Sequence, residues 1–264
     1  MARAHQRQLL VVRDRTVATI SNMWARIVTG PDDTVMSRWL AAAVPVVSAA
    51  QLSTAGAAIA YIGTYVAAAT GTTPVPIKLN PSAFLTPRGV ELTEVLARPM
   101  VELRTGLANG DRWLTAVDAG GLRAGQFAGT DPMLSARAAA SEAMKIEPRV
   151  VGFRRVPDAG ACKFCLLAST QRYHDTDLMP MHPNCGCSVA PIIGAKDPGR
   201  VLDRGLVDQL MAADPSLGRR GDAREAAREA AQRSLADAEK LVTVHEHGEL
   251  GPTLYGAGQK FSRP

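Results

Sequence analysis

At 264 residues and 27.9 kDa the chain can bury a sizeable core without disulfides, and 46% apolar against 21% charged residues excludes disorder along most of its length. Only 5% is aromatic and the apolar share leans on alanine, so the composition points to helices packed through small side chains rather than to β-sandwiches. A net charge of +5 permits contact with nucleic acid or an acidic partner but is far from a basic tail, so charge alone assigns no DNA-binding role.

The first residues are basic, but Arg13, Asp14 and Arg15 interrupt the apolar run behind them. No secretory core is read, and a cytosolic origin is expected. From Arg3 to Ile27, Leu9, Val12, Thr16, Ile20, Met23 and Ile27 recur at three and four, which predicts an amphipathic helix ended by Thr29-Gly30-Pro31. Asp32 or Asp33 caps a second helix that runs through Trp39 and Val44, with Pro45 kinking or ending it. A third helix covers Gln51 to Ala69, before an extended linker from Gly71 to Pro76. Between Trp39 and Ile77 no residue is charged, a length that spans a bilayer. Alanine, glycine and serine give it a weak insertion drive, so a helical hairpin buried in the protein or against a subunit is expected, and no membrane partner.

Beyond Asn80-Pro81 and Pro87-Arg88, helical patterns cover Val90 to Leu107, Gly110 to Phe127 and, started by Asp131-Pro132, Pro132 to Lys145. Val150 to Val156 is β-rich and alternating, and Ser188 to Ile193 is similar, so the two are expected to pair across the segment they enclose. After Gly194, helices are predicted at Leu202 to Ala213 and at Asp222 to Val242, the latter with a solvated charged face, before an extended tail from Glu249 to Pro264. The fold class expected is mainly α with a small zinc-stabilised β element (α+β). It divides into an N-terminal helical region 1–79, a core 80–196 with the Cys/His site, and C-terminal helices and tail 197–264.

Every cysteine lies within 26 residues, where Cys162, Cys165, His182, Cys185 and Cys187 form C-x2-C-x16-H-x2-C-x-C. A C-x2-C pair lets two thiolates converge on one ion, and His182-Pro-Asn-Cys185-Gly-Cys187 offers further ligands from a second tight turn. Five candidates thus compete for the four places of a structural, tetrahedral Zn²⁺ site, with Gly186 permitting the sharp turn. Disulfides fit poorly with a cytosolic chain, and a redox pair lacks the helix it needs after Cys165. A deaminase-type zinc site needs His-x-Glu before Pro-Cys-x-x-Cys. Here the order is reversed and no glutamate stands beside His182. His245 and His247 superficially resemble a zincin motif, lack a third ligand, and are read as surface or interface residues. No catalytic residue is assigned.

The residues Gly152-Phe-Arg-Arg-Val-Pro-Asp-Ala-Gly-Ala-Cys162-Lys-Phe-Cys165, then His182-Pro-Asn-Cys185-Gly-Cys187, then Pro191, resemble the Mu F-like minor head proteins, or phage head morphogenesis proteins, in their actinobacteriophage form. In that family a strand with arginine leads into Cys-x-x-Cys, and a His-Pro-x-Cys-x-Cys turn returns to a second strand. The tail Val244-His-Glu-His-Gly-Glu-Leu-Gly-Pro is similar too. The resemblance implies a minor capsid component of a tailed phage, in multiple copies, in the capsid interior or at the portal vertex. Its partners would be the portal protein, the scaffold, the major capsid protein and packaged DNA, during head assembly and DNA packaging or ejection. Related proteins are sometimes labelled capsid maturation proteases. The alternative is therefore a prohead protease, for which Ser169, His174 and Asp175 or Asp177 are the one clustered polar set. A zinc-ribbon nucleic-acid binder is a third reading, without the aromatic and basic interleaving such a module uses.

Overall fold

The computed structural model describes residues 1–158, Cys165, Ala168, Ser169, 172–174, Leu178, 185–198 and the backbone of 242–247 and 251–256. Four long helices carry most of it: α1 (Ala2–Ile27), α2 (Asp33–Thr70), α3 (Leu92–Ala108) and α4 (Trp113–Ile146). Strands β1 (Val150–Val156) and β2 (Ser188–Ile193) follow, then a separate hairpin of β3 (Val242–His247) and β4 (Gly251–Gly256). The fold is mainly helical with a small antiparallel sheet, as the composition predicts.

α1 begins and ends where its periodicity places it, with Leu9, Thr16, Ile20 and Trp24 on the buried face. The Asp32 carboxylate caps α2 by accepting from the Val35 amide at 2.9 Å, and Gly71 closes that helix in the left-handed conformation. Two expectations are corrected. The hairpin expected between Trp39 and Ile77 is one 38-residue helix, with Pro45 inside it. Pro45 is exposed, so the Ala41 carbonyl it leaves without a helical donor faces water, while Trp39, Ala43, Val47 and Ala50 on the opposite side remain buried. The helices expected at Gly110–Phe127 and Pro132–Lys145 are likewise one, α4, although Pro132 is buried. Polar side chains serve the backbone there. Thr54 of α2 donates to the Pro132 carbonyl at 2.7 Å, Ser135 to that of Asp131 at 3.1 Å, and the buried Asp131 carboxylate is paired with Arg88.

α1 runs antiparallel to both α2 and α4. Trp24 meets Trp39 edge-on and donates to the Val117 carbonyl, while at the other end His5 stacks on Tyr61. Two apolar clusters fill the bundle. One holds Ile20, Trp24, Trp39, Leu96, Met100, Leu103 and Phe127, where α3 packs, and the other joins Leu9, Ala58, Ile62, Met133 and Ala140 to Phe153, Val156 and Val189 of the sheet. By length and composition α2 is also long and apolar enough to cross a membrane. Its inward residues lie within these two clusters.

β1 and β2 pair as the sequence predicts, from Val150 opposite Ile193 to Val156 opposite Ser188, with an irregularity between Val150 and Gly152. A two-way bridge from Phe153 to Tyr173 adds a third rung to the other edge, at 2.8 and 2.9 Å. Gly152 is required there, since a Cβ would sit 2.4 Å from the Tyr173 carbonyl oxygen. The helices predicted at Leu202–Ala213 and Asp222–Val242 lie outside the described residues, apart from Val242, where β3 begins. The expected extended tail contains β4, and His245 and His247 lie on β3 at the registers of Thr253 and Gly251.

Candidate metal centre

Leaving β1 at Val156, the chain returns to β2 through Cys185, Gly186 and Cys187, and these cysteines meet Cys165 in a buried pocket of their own with Ala168. Cys165, Cys185 and Cys187 are 1–2% exposed, and their sulfurs all lie within 4.8 Å of one another. The Cys165 to Cys185 separation is 4.0 Å. A disulfide has sulfurs about 2.05 Å apart, whereas a tetrahedral ion with metal–sulfur bonds of about 2.3 Å spaces its ligands about 3.8 Å apart. The trio therefore fits a thiophilic ion and not a disulfide. Cys162 and His182, the other two candidates, lie outside the described residues.

Helix side chains hold the knuckle. Gln6 of α1 donates from one amide nitrogen to the Val156 carbonyl at 2.7 Å and the Gly186 carbonyl at 3.1 Å, tying the end of β1 to the turn before β2. Arg137 of α4, buried, donates to the carbonyls of Cys185 and Cys187. Gly186 is needed for space. A Cβ there would come within 1.9 Å of the Asp158 carboxylate and 3.1 Å of Leu10, so close approach rather than turn conformation selects glycine.

Charge is unevenly shared among the thiols. Hydrogen bonds from Cys165 and Cys187 hold the Cys185 thiol well below its usual range, and the Arg137 guanidinium adds to this. Cys165, donating to Cys185 and buried, is pushed far up. Without a cation the pocket stabilises one thiolate, and a bound metal ion would supply the charge that releases the remaining protons. The arrangement can hold an ion and brace the sheet against α1 and α4. Sequence reasoning missed Gln6, Arg137 and Asp158. The available signal was that His5 and Gln6 continue the inward face of α1 one turn ahead of Leu9.

Of the polar set weighed for hydrolysis, Ser169 and His174 are among the described residues. Ser169 is buried, while His174 is exposed with Nδ1 3.4 Å from the Val151 carbonyl. Asp175 and Asp177 lie outside the described residues.

The VG15 protein family matches residues 1–209, which include all four helices, the first sheet and the whole cysteine cluster. This chain belongs to the VG15 family. It is a family of phage virion genes, and the protein is therefore phage-encoded and virion-associated. No curated protein and no solved structure gives a significant match to the chain. In this VG15 protein, three buried cysteines close enough to share a metal ion sit where helices and sheet meet.

Proposed function

We propose that this VG15 protein is a minor head component of a tailed phage, binding the portal or inner capsid during head assembly and DNA packaging or ejection, with one structural Zn²⁺ per chain. Family membership across residues 1–209 is the observation that carries the reading. The resemblance of residues 150–193 to the Mu F-like proteins gives it its finer form. Zinc is the ion chosen because a mostly thiolate, four-ligand set in a closed pocket is the pattern of structural zinc. Cys165, Cys185 and Cys187 supply three ligands, and Cys162 or His182 the fourth. The ion's binding free energy would be part of the folding free energy of the sheet and its loop.

The test is composition and partnership. Procapsids and mature virions, purified and analysed by mass spectrometry, should contain the protein at a defined copy number, and co-expressed portal protein should co-purify with it. Absence from both particles together with no portal association would refute the reading. Metal analysis of purified protein should give about one zinc per chain, as four protein ligands around one ion require. The protease alternative has no support from Ser169 and His174, given their opposite exposures. Cleavage of scaffold or capsid protein that depends on this protein and is lost in Ser169→Ala would establish that alternative.

A further inference from the structure

We infer that the outer face of α1 is a binding surface for the sugar-phosphate backbone of duplex DNA. Residues 1–30 hold five arginines and one acidic residue, Asp14, a net +4 against +5 for the entire chain. Arg3, Arg7, Arg15 and Arg26 are all exposed on this helix, opposite the buried line of Leu9, Thr16, Ile20 and Trp24. Asp14, exposed in the same stripe as Arg3 and Arg7, is engaged at 2.8 Å by Arg13. The flanking helix α2 has acidic groups only at its start, where Asp32 caps the helix and Asp33 is engaged by Arg104 at 2.6 Å, and nothing between Trp39 and Ile77 is ionised. On the other flank Arg13, Ser21 and Gln126 line an open groove between α1 and α4, together with Gly121, Gly125 and Gly129 and no acidic residue.

The spacing suits a duplex. At 1.5 Å per residue, Arg3 to Arg26 spans about 34 Å, which is about one helical turn of B-DNA. Guanidinium groups bind phosphate oxygens in a bidentate manner. The face carries no aromatic side chain on which unpaired bases could stack, which disfavours single strands. Val11 is its one large exposed apolar residue, too little for insertion into lipid. Contacts of this kind read no sequence, so the binding is non-specific and dominated by counterion release. The inference rests on the proposed head role and gives its contact with packaged DNA a surface on this chain; the two fail separately, because binding by purified protein and incorporation into particles are separate measurements.

The test is fluorescence anisotropy of the full-length protein with a random-sequence duplex of about 30 base pairs, titrated with salt. Four phosphate contacts give a slope of about −3.6 in log K against log salt, so affinity should fall about 150-fold between 50 and 200 mM. In the triple variant Arg7→Gln, Arg15→Gln, Arg26→Gln the slope should shrink to about −0.9 and the fall to about 3.5-fold. Those three side chains are exposed, so helical circular dichroism and melting should be unchanged. A control with Arg38, Lys78 and Arg112 changed to glutamine removes equal charge from exposed positions elsewhere and should keep the wild-type slope. The inference is overturned by any of three results: no duplex binding at about 50 mM salt, equal loss in the control variant, or binding to phosphatidylserine vesicles with none to the duplex.

Discussion

Replacing Gly186 with alanine tests the knuckle directly. The new methyl would sit 1.9 Å from the Asp158 carboxylate and 3.1 Å from Leu10, so the Asp158 side chain has to swing aside or the turn between Cys185 and Cys187 has to move. Overpacking of this kind costs about 1–3 kcal/mol. Any movement of the turn stretches the Gln6 bond to the Gly186 carbonyl and the Arg137 bond to that of Cys185, adding about 1 kcal/mol for each buried link weakened. A total of about 3 kcal/mol corresponds to a melting point about 6–12 °C lower for a domain of this size. Metal affinity, measured by competition with a chromophoric chelator, should fall as well, because two of the proposed ligands, Cys185 and Cys187, flank the altered residue. Removing the obstruction separates this cause from a general intolerance of substitution. Asp158→Ala alone loses a contact 4.0 Å from Arg13, worth under about 1 kcal/mol. Combined with Gly186→Ala it should restore at least about 1 kcal/mol in a double-mutant cycle. A Gly186→Ala protein that melts with the wild type, or a cycle that is purely additive, would refute the steric account.

Three other outcomes are expected. Pro45→Ala should raise the melting point, since the exposed proline leaves α2 one hydrogen bond short and alanine is favoured there by about 3 kcal/mol at most; a lower melting point would mean that α2 fits its neighbours only with proline at that position. His5 is buried against Tyr61, and burial lowers its pKa from 6.5 to about 4. The unfolded chain therefore takes up the proton first, and stability is complete above pH 6.5 and lost as the pH falls towards 4, by about 2–3 kcal/mol. In His5→Phe that portion of the acid sensitivity should vanish, which urea titrations at pH 7 and 4.5 would show. Finally, chelator treatment should lower the melting point and make the cysteines reactive to a thiol reagent, while Cys185→Ser should already behave as metal-free; unchanged melting and unreactive thiols in both would remove the ion from the structure.

Elements with a local cause were legible in the sequence. The 3.6-residue stripe of α1, the Asp32 cap and the paired β patterns of 150–156 and 188–193 each depend on neighbours a few residues away, and each stands where it was expected. The prolines misled because their local effect was outweighed from a distance. Burial on both sides of Pro45, and Thr54, Arg88 and Ser135 around Pro132, carry α2 and α4 through positions where propensity alone ends a helix. At the candidate metal centre the residue types and spacing singled out five residues, and the structure brings three of them together. What held them was hidden. Arg137 lies 48 residues from Cys185, and Gln6 lies 180 from Gly186, separations at which no periodicity or motif carries information.

That last separation also orders events during synthesis. The amide of residue 6 has acceptors 150 and 180 residues further along the chain, and at about 5–20 residues per second the second acceptor is polymerised roughly 10–40 s after Gln6. Throughout that interval the first turn of α1 has neither the knuckle nor the completed sheet to close over it, and the side of the helix around Gln6 is open to chaperones or to a neighbouring nascent chain. Slowed translation before residue 186, or shortage of the proposed zinc while that segment emerges, should therefore increase aggregation of chains whose finished fold is no less stable.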